Sequence, residues 1–283
     1  MASALLAFVF VCLVLRFGWI SDDGFITSRT WDNAFNGFGW VLNRGHRVQT
    51  FTSPLFMLLG LPIHALTRDP YWSLMGVNLV CVAGLLLVIA GGLRDQPIRT
   101  AFVFLGLSLS PSVLAYATSG LENSLGFLLV AAFAFVALGR GGRSSASAWT
   151  LAALLVLTRQ DYFLLVAPAL GRMVWREPRT CARNARWALA LLVGWFGFAL
   201  AYYGFLFPNT AYAKLNVAIP LAIKLRHGLG YLLDVATRDI VVIVVLGTSA
   251  AFAVGTTLRA PARALLMGVV LYVLYVVGIG GDF

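Results

Sequence analysis

Charged residues are scarce in this sequence. Asp, Glu, Lys and Arg make up 11% of its 283 residues, whereas a soluble domain averages about 25%. Hydrophobic residues make up 60% and occur in long unbroken runs, unlike the alternating strands of a membrane barrel. The chain is therefore expected to be an all-α integral membrane protein that crosses the bilayer several times.

Acids are the scarcer of the two charges, with 11 Asp and Glu against 21 Lys and Arg and a formal net charge of +10. The basic residues lie between apolar segments and do not form a stripe on a polar domain. Membrane topology and contacts with lipid phosphates explain this distribution more simply than a nucleic acid does. Membrane lipids are thus expected partners, and nucleic acid is not.

Cysteine and histidine are also rare, with three of each. Cys12, Cys81 and Cys181 are scattered without a CxxC pair and are interpreted as small hydrophobic residues. His64 and His227 have no histidine or carboxylate partner at ligand spacing. The sequence therefore does not indicate a histidine-based metal site.

The apolar segments predict about nine membrane-spanning helices. These segments are residues 2–20, 72–93, 101–117, 125–138, 146–158, 162–173, 187–203, 240–257 and 264–279. A tenth segment, 53–67, barely reaches across the hydrocarbon and is read as a juxtamembrane helix. Residues 2–20 are interpreted as a retained span, because no basic region precedes them and no small-residue cleavage site follows.

The loops between these segments differ in charge density. A dense set contains eleven Arg in 34 residues, whereas the others contain ten Lys or Arg in 103 residues. The dense set comprises residues 94–99, 139–145, 172–186 and 258–263. Because positive loops face the cytoplasm, the long first loop, 21–52, is expected on the extracytoplasmic side.

The first loop begins with two adjacent acids, Asp22 and Asp23, directly after an apolar run. Adjacent carboxylates at a membrane edge carry a cost in desolvation and repulsion, so such a pair indicates a function. The alternative is a solvated acidic cap on the helix that follows. Downstream aromatics have roughly the spacing of an apolar helix face lying on the membrane, which predicts juxtamembrane helices in this loop: Trp31, Phe35, Phe38 and Trp40.

Further polar residues near span ends fall on the same side under this topology. They are Glu122, Arg159, Asp161, Asn209, Lys214 and Asp282. Arg159 suits a bidentate grip on phosphate, although an internal pair with Asp161 would leave no charge for a donor. Lys214 is a second phosphate candidate, with snorkelling to lipid headgroups as the alternative. Glu122 and Asp282 would bind sugar hydroxyls or a cation, or cap helices.

Six short blocks run from the first apolar segment to the end of the chain. They are DD at 22–23, NGFGWVLNRGHRV at 36–48, TSPL at 52–55, TSGLE at 118–122, FPNTAYAK at 207–214 and GGD at 280–282. They resemble the blocks of polytopic GT-C glycosyltransferases. More narrowly, they resemble those of the terminal β-1,2-arabinofuranosyltransferases of mycolate-containing bacteria. One departure is Arg159-Gln160-Asp161, where members often have Arg-Pro-Glu.

The resemblance implies a GT-C-type helical bundle in the plasma membrane, with its active site facing the cell wall. It implies transfer of β-D-arabinofuranose from decaprenyl-phosphoryl-arabinofuranose to the 2-hydroxyl of arabinan termini, with net retention. Asp22 and Asp23 would be catalytic, one as base or anomeric-carbon stabiliser and the other orienting substrate or a cation. The polar residues above, with Trp40 and His46, would bind donor phosphate or substrate, although His46 also suits a solvated surface. Nothing demands a cofactor, but the acid pair offers oxygen ligands to Mg²⁺ or Mn²⁺.

Members of this family usually continue into a soluble extracytoplasmic domain. The chain is therefore expected to be the membrane module, 1–283, with the C-terminal soluble domain absent from it. Two other functions stay open. A polyprenyl-phosphomannose-dependent mannosyltransferase is one, because no residue selects the sugar on physical grounds. A lipid or solute transporter is the other, although transporters usually place charges at mid-membrane, whereas these acids cluster at span ends.

Overall fold

A computed structural model describes residues 2–139, 141–215, 219–255 and 258–281. Within these ranges the chain forms helices and connecting loops, with no β-strand, as the composition predicts. The α-helices are α1 (Ala2–Arg16), α2 (Asp22–Phe35), α3 (Pro54–Thr67), α4 (Pro70–Gly92), α5 (Pro97–Leu109), α6 (Pro111–Tyr116), α7 (Asn123–Gly139), α8 (Ala146–Thr158), α9 (Phe163–Arg176), α10 (Pro178–Tyr203), α11 (Asn209–Leu215), α12 (Leu221–Arg238), α13 (Ile240–Gly255) and α14 (Ala260–Ile279). A single 3₁₀ turn, Gln160–Tyr162, joins α8 to α9.

Three of the described helices, α4, α10 and α14, are long and apolar enough to cross a membrane. Six more apolar helices have 10–17 residues, namely α1, α3, α5, α7, α8 and the Ile240–Ala251 part of α13. These are shorter than the roughly 20 residues of a typical span. The membrane character is therefore confirmed, whereas nine spans stay a prediction.

The segment 101–117, predicted as one span, is two helices. α5 ends at Leu109 and α6 begins at Pro111. Ser110 between them is extended (φ −89°, ψ 109°), and its hydroxyl caps α6 by accepting from the N–H of Val113. Proline disfavours a helical conformation in the residue before it. The prediction of a continuous helix here was wrong.

The basic stretch 172–186, predicted as a loop, is mostly helical. α9 continues to Arg176 and α10 begins at Pro178. Arg172 donates a hydrogen bond to the carbonyl of Gly142 at 3.2 Å. A Cβ added at Gly142 would lie 2.8 Å from Pro261. Three of the four arginine-dense segments thus meet at one place in the fold.

The first-loop helix α2 is held against the bundle by Trp31. This side chain is fully buried, and its indole N–H donates to the carbonyl of Met57 at 2.8 Å. The indole lies directly over Gly60, where any Cβ would overlap the ring. Around this contact α4 packs on α3 and α7, while α8 packs on both α7 and α10. Trp31 consequently anchors the second half of α2 to α3.

Candidate functional site

The two predicted catalytic acids form the first turn of α2. Ser21 is the N-cap, and its Oγ accepts from the N–H of Asp23 at 3.3 Å. That N–H also donates to Oδ1 of Asp22 at 3.0 Å, so Ser21 is the capping residue and Asp22 accepts a hydrogen bond within the first turn. Both residues are exposed. The carboxylate of Asp23 has no hydrogen-bond partner among the described residues.

The start of α2 touches the turn that leads to Glu122. The backbone N–H of Ser21 donates to the carbonyl of Ser119 at 2.8 Å. A Cβ added at Gly24 would lie 3.1 Å from the carbonyl oxygen of Gly120. Gly120 itself has φ +76°, a conformation that favours glycine. The structure therefore brings together two of the blocks on which the family resemblance depends.

Arg159 lies between two carboxylates. Its Nε and Nη2 donate to the two oxygens of Asp161 at 3.2 and 3.1 Å, and its Nη1 lies 3.6 Å from Oε1 of Glu122. The hydroxyl of Tyr272 on α14 donates to Asp161 at 3.4 Å. The acid side chains are each 11% exposed and the arginine side chain 31%. The internal pair considered from the sequence is thus present, and Glu122 joins it.

Electrostatics in this cluster favour the charged guanidinium. Burial opposes the charge on Arg159, but Asp161 and, to a smaller extent, Glu122 outweigh it and raise the pKa of Arg159 above its ordinary value. The single guanidinium is therefore shared between two carboxylates. Such a cluster offers oxygen acceptors to hydroxyl groups more readily than it offers a cation to phosphate.

Asn209 joins the first loop to α11. Its backbone N–H donates to the carbonyl of Gln49 at 3.2 Å. Its side-chain Oδ1 is buried and has no hydrogen-bond partner among the described residues. Lys214 belongs to α11, but its side chain lies outside the described part of the structure, as does the whole of Asp282. Their proposed roles remain predictions.

Trp40 is fixed against the end of α10. The backbone N–H of Trp40 donates to the hydroxyl of Tyr202 at 3.1 Å, and the hydroxyl of Tyr203 donates to the backbone carbonyl of Trp40 at 2.8 Å. Its ring meets that of Phe198 edge-on at 5.4 Å. His46, by contrast, is exposed and lines a cavity in the first loop. The two tyrosines were not identified from the sequence, where they appear only as aromatics at the end of an apolar run.

His64 has a carboxylate partner that its sequence position does not reveal. Its Nε2 lies 2.9 Å from Oδ1 of Asp32, and its Nδ1 lies 2.7 Å from the hydroxyl of Ser73. The imidazole is buried, whereas the Asp32 side chain is 46% exposed. The interaction joins α2, α3 and α4 across 32 residues of sequence. It supports the position of α2.

No group of three or more His, Cys, Asp or Glu side chains that could hold a metal ion occurs within the described ranges. Asp22 and Asp23 supply two adjacent carboxylates at most. A role for Mg²⁺ or Mn²⁺ stays a prediction that only an activity measurement can test.

Part of the chain is similar to a known glycosyltransferase. Over 222 residues it is 31% identical to the terminal β-(1→2)-arabinofuranosyltransferase of Mycobacterium tuberculosis. The match covers 69% of this chain and 35% of that protein, so the chain spans about a third of the relative's length. No protein family model and no solved structure matches the chain. The similarity supports the resemblance drawn from the sequence blocks.

Proposed function

We propose that the chain is the membrane module of a retaining glycosyltransferase. It moves β-D-arabinofuranose from decaprenyl-phosphoryl-arabinofuranose to the 2-hydroxyl of arabinan termini, on the cell-wall side of the plasma membrane. The observation that carries the proposal is the contact between the acidic first turn of α2 and the turn of Glu122, which continues to Arg159 and Asp161. A chain of contacts thus links three separated segments to the first turn of α2.

The reaction breaks the bond between the anomeric carbon and the phosphate oxygen, and the electron pair leaves with the polyprenyl phosphate. A new bond forms between that carbon and the acceptor oxygen, whose proton passes to a carboxylate. Asp23 is the better candidate for this base or for stabilising the oxocarbenium-like charge, because its carboxylate is exposed and has no partner among the described residues. Asp22, whose carboxylate accepts from the Ser21 hydroxyl and from the N–H of Asp23, orients the first turn of α2.

The surrounding residues hold the two substrates. Glu122 and Asp161 accept hydrogen bonds from sugar hydroxyls, and the buried Oδ1 of Asn209 offers a further acceptor. Because Arg159 is shared between carboxylates, we assign the main phosphate contact to Lys214, with Arg159 in support. Trp40, His46 and Asp282 complete the substrate contacts, and the exposed apolar helices face lipid.

The proposal is tested with the full-length protein in membrane vesicles. Synthetic polyprenyl-phosphoryl-β-arabinofuranose and polyprenyl-phosphomannose compete for a short arabinan acceptor, and NMR establishes the sugar and linkage of the product. We expect a β-(1→2)-linked arabinofuranosyl product and no mannosyl product. Mannosyl transfer would overturn the donor assignment, and solute or lipid uptake without any transfer product would overturn the enzyme assignment.

A further inference from the structure

The first loop contains a cavity of about 290 Å³. Its lining residues are Leu42, Asn43, His46, Val48 and Thr50. These supply an amide, an imidazole and a hydroxyl together with two aliphatic side chains. Of these residues only His46 has been given a role above. A few polar groups set among apolar surface is the usual composition of a small-molecule site.

The walls of this cavity are fixed by the helices on either side. Arg29 Nε donates to the carbonyl of Leu42 at 3.1 Å, and the Asn33 amide donates to the carbonyls of Val41 and Leu42 at 2.8 and 2.9 Å. On the other side, Trp40 is bonded to two tyrosines of α10. The cavity is thus preformed, and a ligand would not have to order the loop on binding.

One lining residue lacks a hydrogen-bond partner. The Oγ1 of Thr50 is buried, and no group in the described part of the chain bonds to it. A buried hydroxyl without a partner costs free energy, which a ligand with hydroxyl groups would recover. This feature points to a polar ligand in the cavity and not to an acyl chain.

The charges around the cavity indicate that this ligand is neutral. None of the lining residues carries a carboxylate, guanidinium or ammonium group. The nearby guanidinium of Arg44 lies over the ring of Phe38 at 3.8 Å, and that of Arg47 lies over the ring of Tyr202 at 5.1 Å. Neither arginine lines the cavity, so its lining offers hydrogen-bonding groups without a guanidinium or ammonium group for a phosphate, which fits a carbohydrate.

The cavity lies along the same face of α2 as Asp22, the neighbour of the proposed base Asp23. Asp22, Arg29 and Asn33 are spaced by seven and four residues, which places them on one helix face. The seven residues between Asp22 and Arg29 span about 10 Å of helix axis, longer than one furanose ring. Arg29 in turn holds the cavity wall at Leu42.

We propose that this cavity is a subsite for an internal sugar residue of the acceptor, at least one ring away from the reacting hydroxyl. The proposal rests on the proposed function for the identity of the sugar. It assigns the acceptor to the first loop, with Asn43, His46 and Thr50 contacting its hydroxyls. A longer acceptor should therefore bind more tightly than a single sugar.

The test measures binding and transfer separately in the full-length protein. Binding of a tetra-arabinofuranoside and of methyl arabinofuranoside is titrated by calorimetry without donor, and acceptor KM is measured with donor. Thr50→Val removes the hydroxyl at constant shape, and Val48→Phe fills the cavity. The control is Thr52→Val, which changes the same chemistry two residues away at an exposed position outside the cavity.

We expect Thr50→Val to weaken tetrasaccharide binding and raise acceptor KM about five- to tenfold, the effect of one lost hydrogen bond. It should not lower the melting temperature, because the hydroxyl it removes has no hydrogen-bond partner among the described residues. Val48→Phe should weaken tetrasaccharide binding and raise acceptor KM further. Thr52→Val should change neither the binding nor the KM.

The outcomes separate this proposal from the proposed function. Unchanged tetrasaccharide affinity and KM in both cavity variants would overturn the subsite, even if transfer proceeds normally. Loss of tetrasaccharide binding in those variants would support the subsite even if the wild type transfers no arabinofuranose, in which case only the donor assignment fails.

Discussion

The backbone N–H of Ser21 donates to the carbonyl of Ser119 at 2.8 Å. This bond connects the acidic first turn of α2 with the turn that leads to Glu122, almost 100 residues later. Glu122 continues the connection to Arg159. Through these contacts the first turn of α2 is linked to the polar residues between later helices.

A glycine substitution tests this contact. Gly120 has φ +76°, and a Cβ there would lie 2.9 Å from Ile20. Gly120→Ala should therefore cost about 1–3 kcal/mol of stability and shift the turn away from α2. Transfer activity should fall by more than the loss of folded protein accounts for. Gly91→Ala is the matched control, since its added methyl meets nothing within 4 Å. Equal activity in the two variants would argue against a functional contact.

The guanidinium geometry of Arg159 can be tested without removing its charge. Lysine cannot make the paired hydrogen bonds to Asp161. We expect Arg159→Lys to lower the free energy of unfolding by less than the roughly 3–5 kcal/mol of a fully buried pair, because the arginine side chain is 31% exposed. The loss is measured as a lower melting temperature. Transfer activity should fall as Glu122 and Asp161 lose their fixed positions.

Arg94→Lys serves as the control for that variant. Arg94 pairs with Asp95 at 3.5 Å, but both side chains are at least 80% exposed, and exposed pairs contribute little. If Arg159→Lys has the same melting temperature and activity as Arg94→Lys, the cluster of Arg159, Glu122 and Asp161 has no role in stability or transfer.

Removing His64 tests whether α2 is supported from beneath. His64→Phe leaves Ser73 and Asp32 without their imidazole partner, which should cost about 1–3 kcal/mol, measured as a lower melting temperature in detergent. The exposed His227 offers the control His227→Phe, which should be neutral. If His64→Phe has the same melting temperature as the wild type, the bond between His64 and Asp32 does not hold α2 in place.

The helical class could be predicted from the sequence because apolar runs without alternation have few other solutions. Helix boundaries were less predictable. Ser110 and Pro111 divide a run that is apolar on either side, and the proline geometry sets the break at Ser110. Arginines in 172–186 suggested a loop, yet arginine is also a good helix former, and most of this stretch is helical.

Within the site, the sequence predicts contacts between residues that are close along the chain. The pairing of Arg159 with Asp161 could be anticipated, since they are two residues apart. The addition of Glu122 and Tyr272 could not, because each comes from a distant helix or turn. The same holds for His64 and Asp32. Contacts between separate helices depend on packing, which a single sequence does not encode in any local pattern.

We propose that the acidic first turn of α2 carries out sugar transfer. The most direct measurement is the initial rate of arabinofuranosyl transfer by the full-length protein and its Asp23→Asn, Asp22→Asn and Asp95→Asn variants. We expect Asp23→Asn to lose about 10²–10⁴-fold in rate. Asp22→Asn keeps a side-chain oxygen that accepts from the N–H of Asp23, so its rate should fall less. Asp95 is exposed, and Asp95→Asn should leave the rate unchanged. Wild-type rates in both α2 variants would contradict the assignment of these acids.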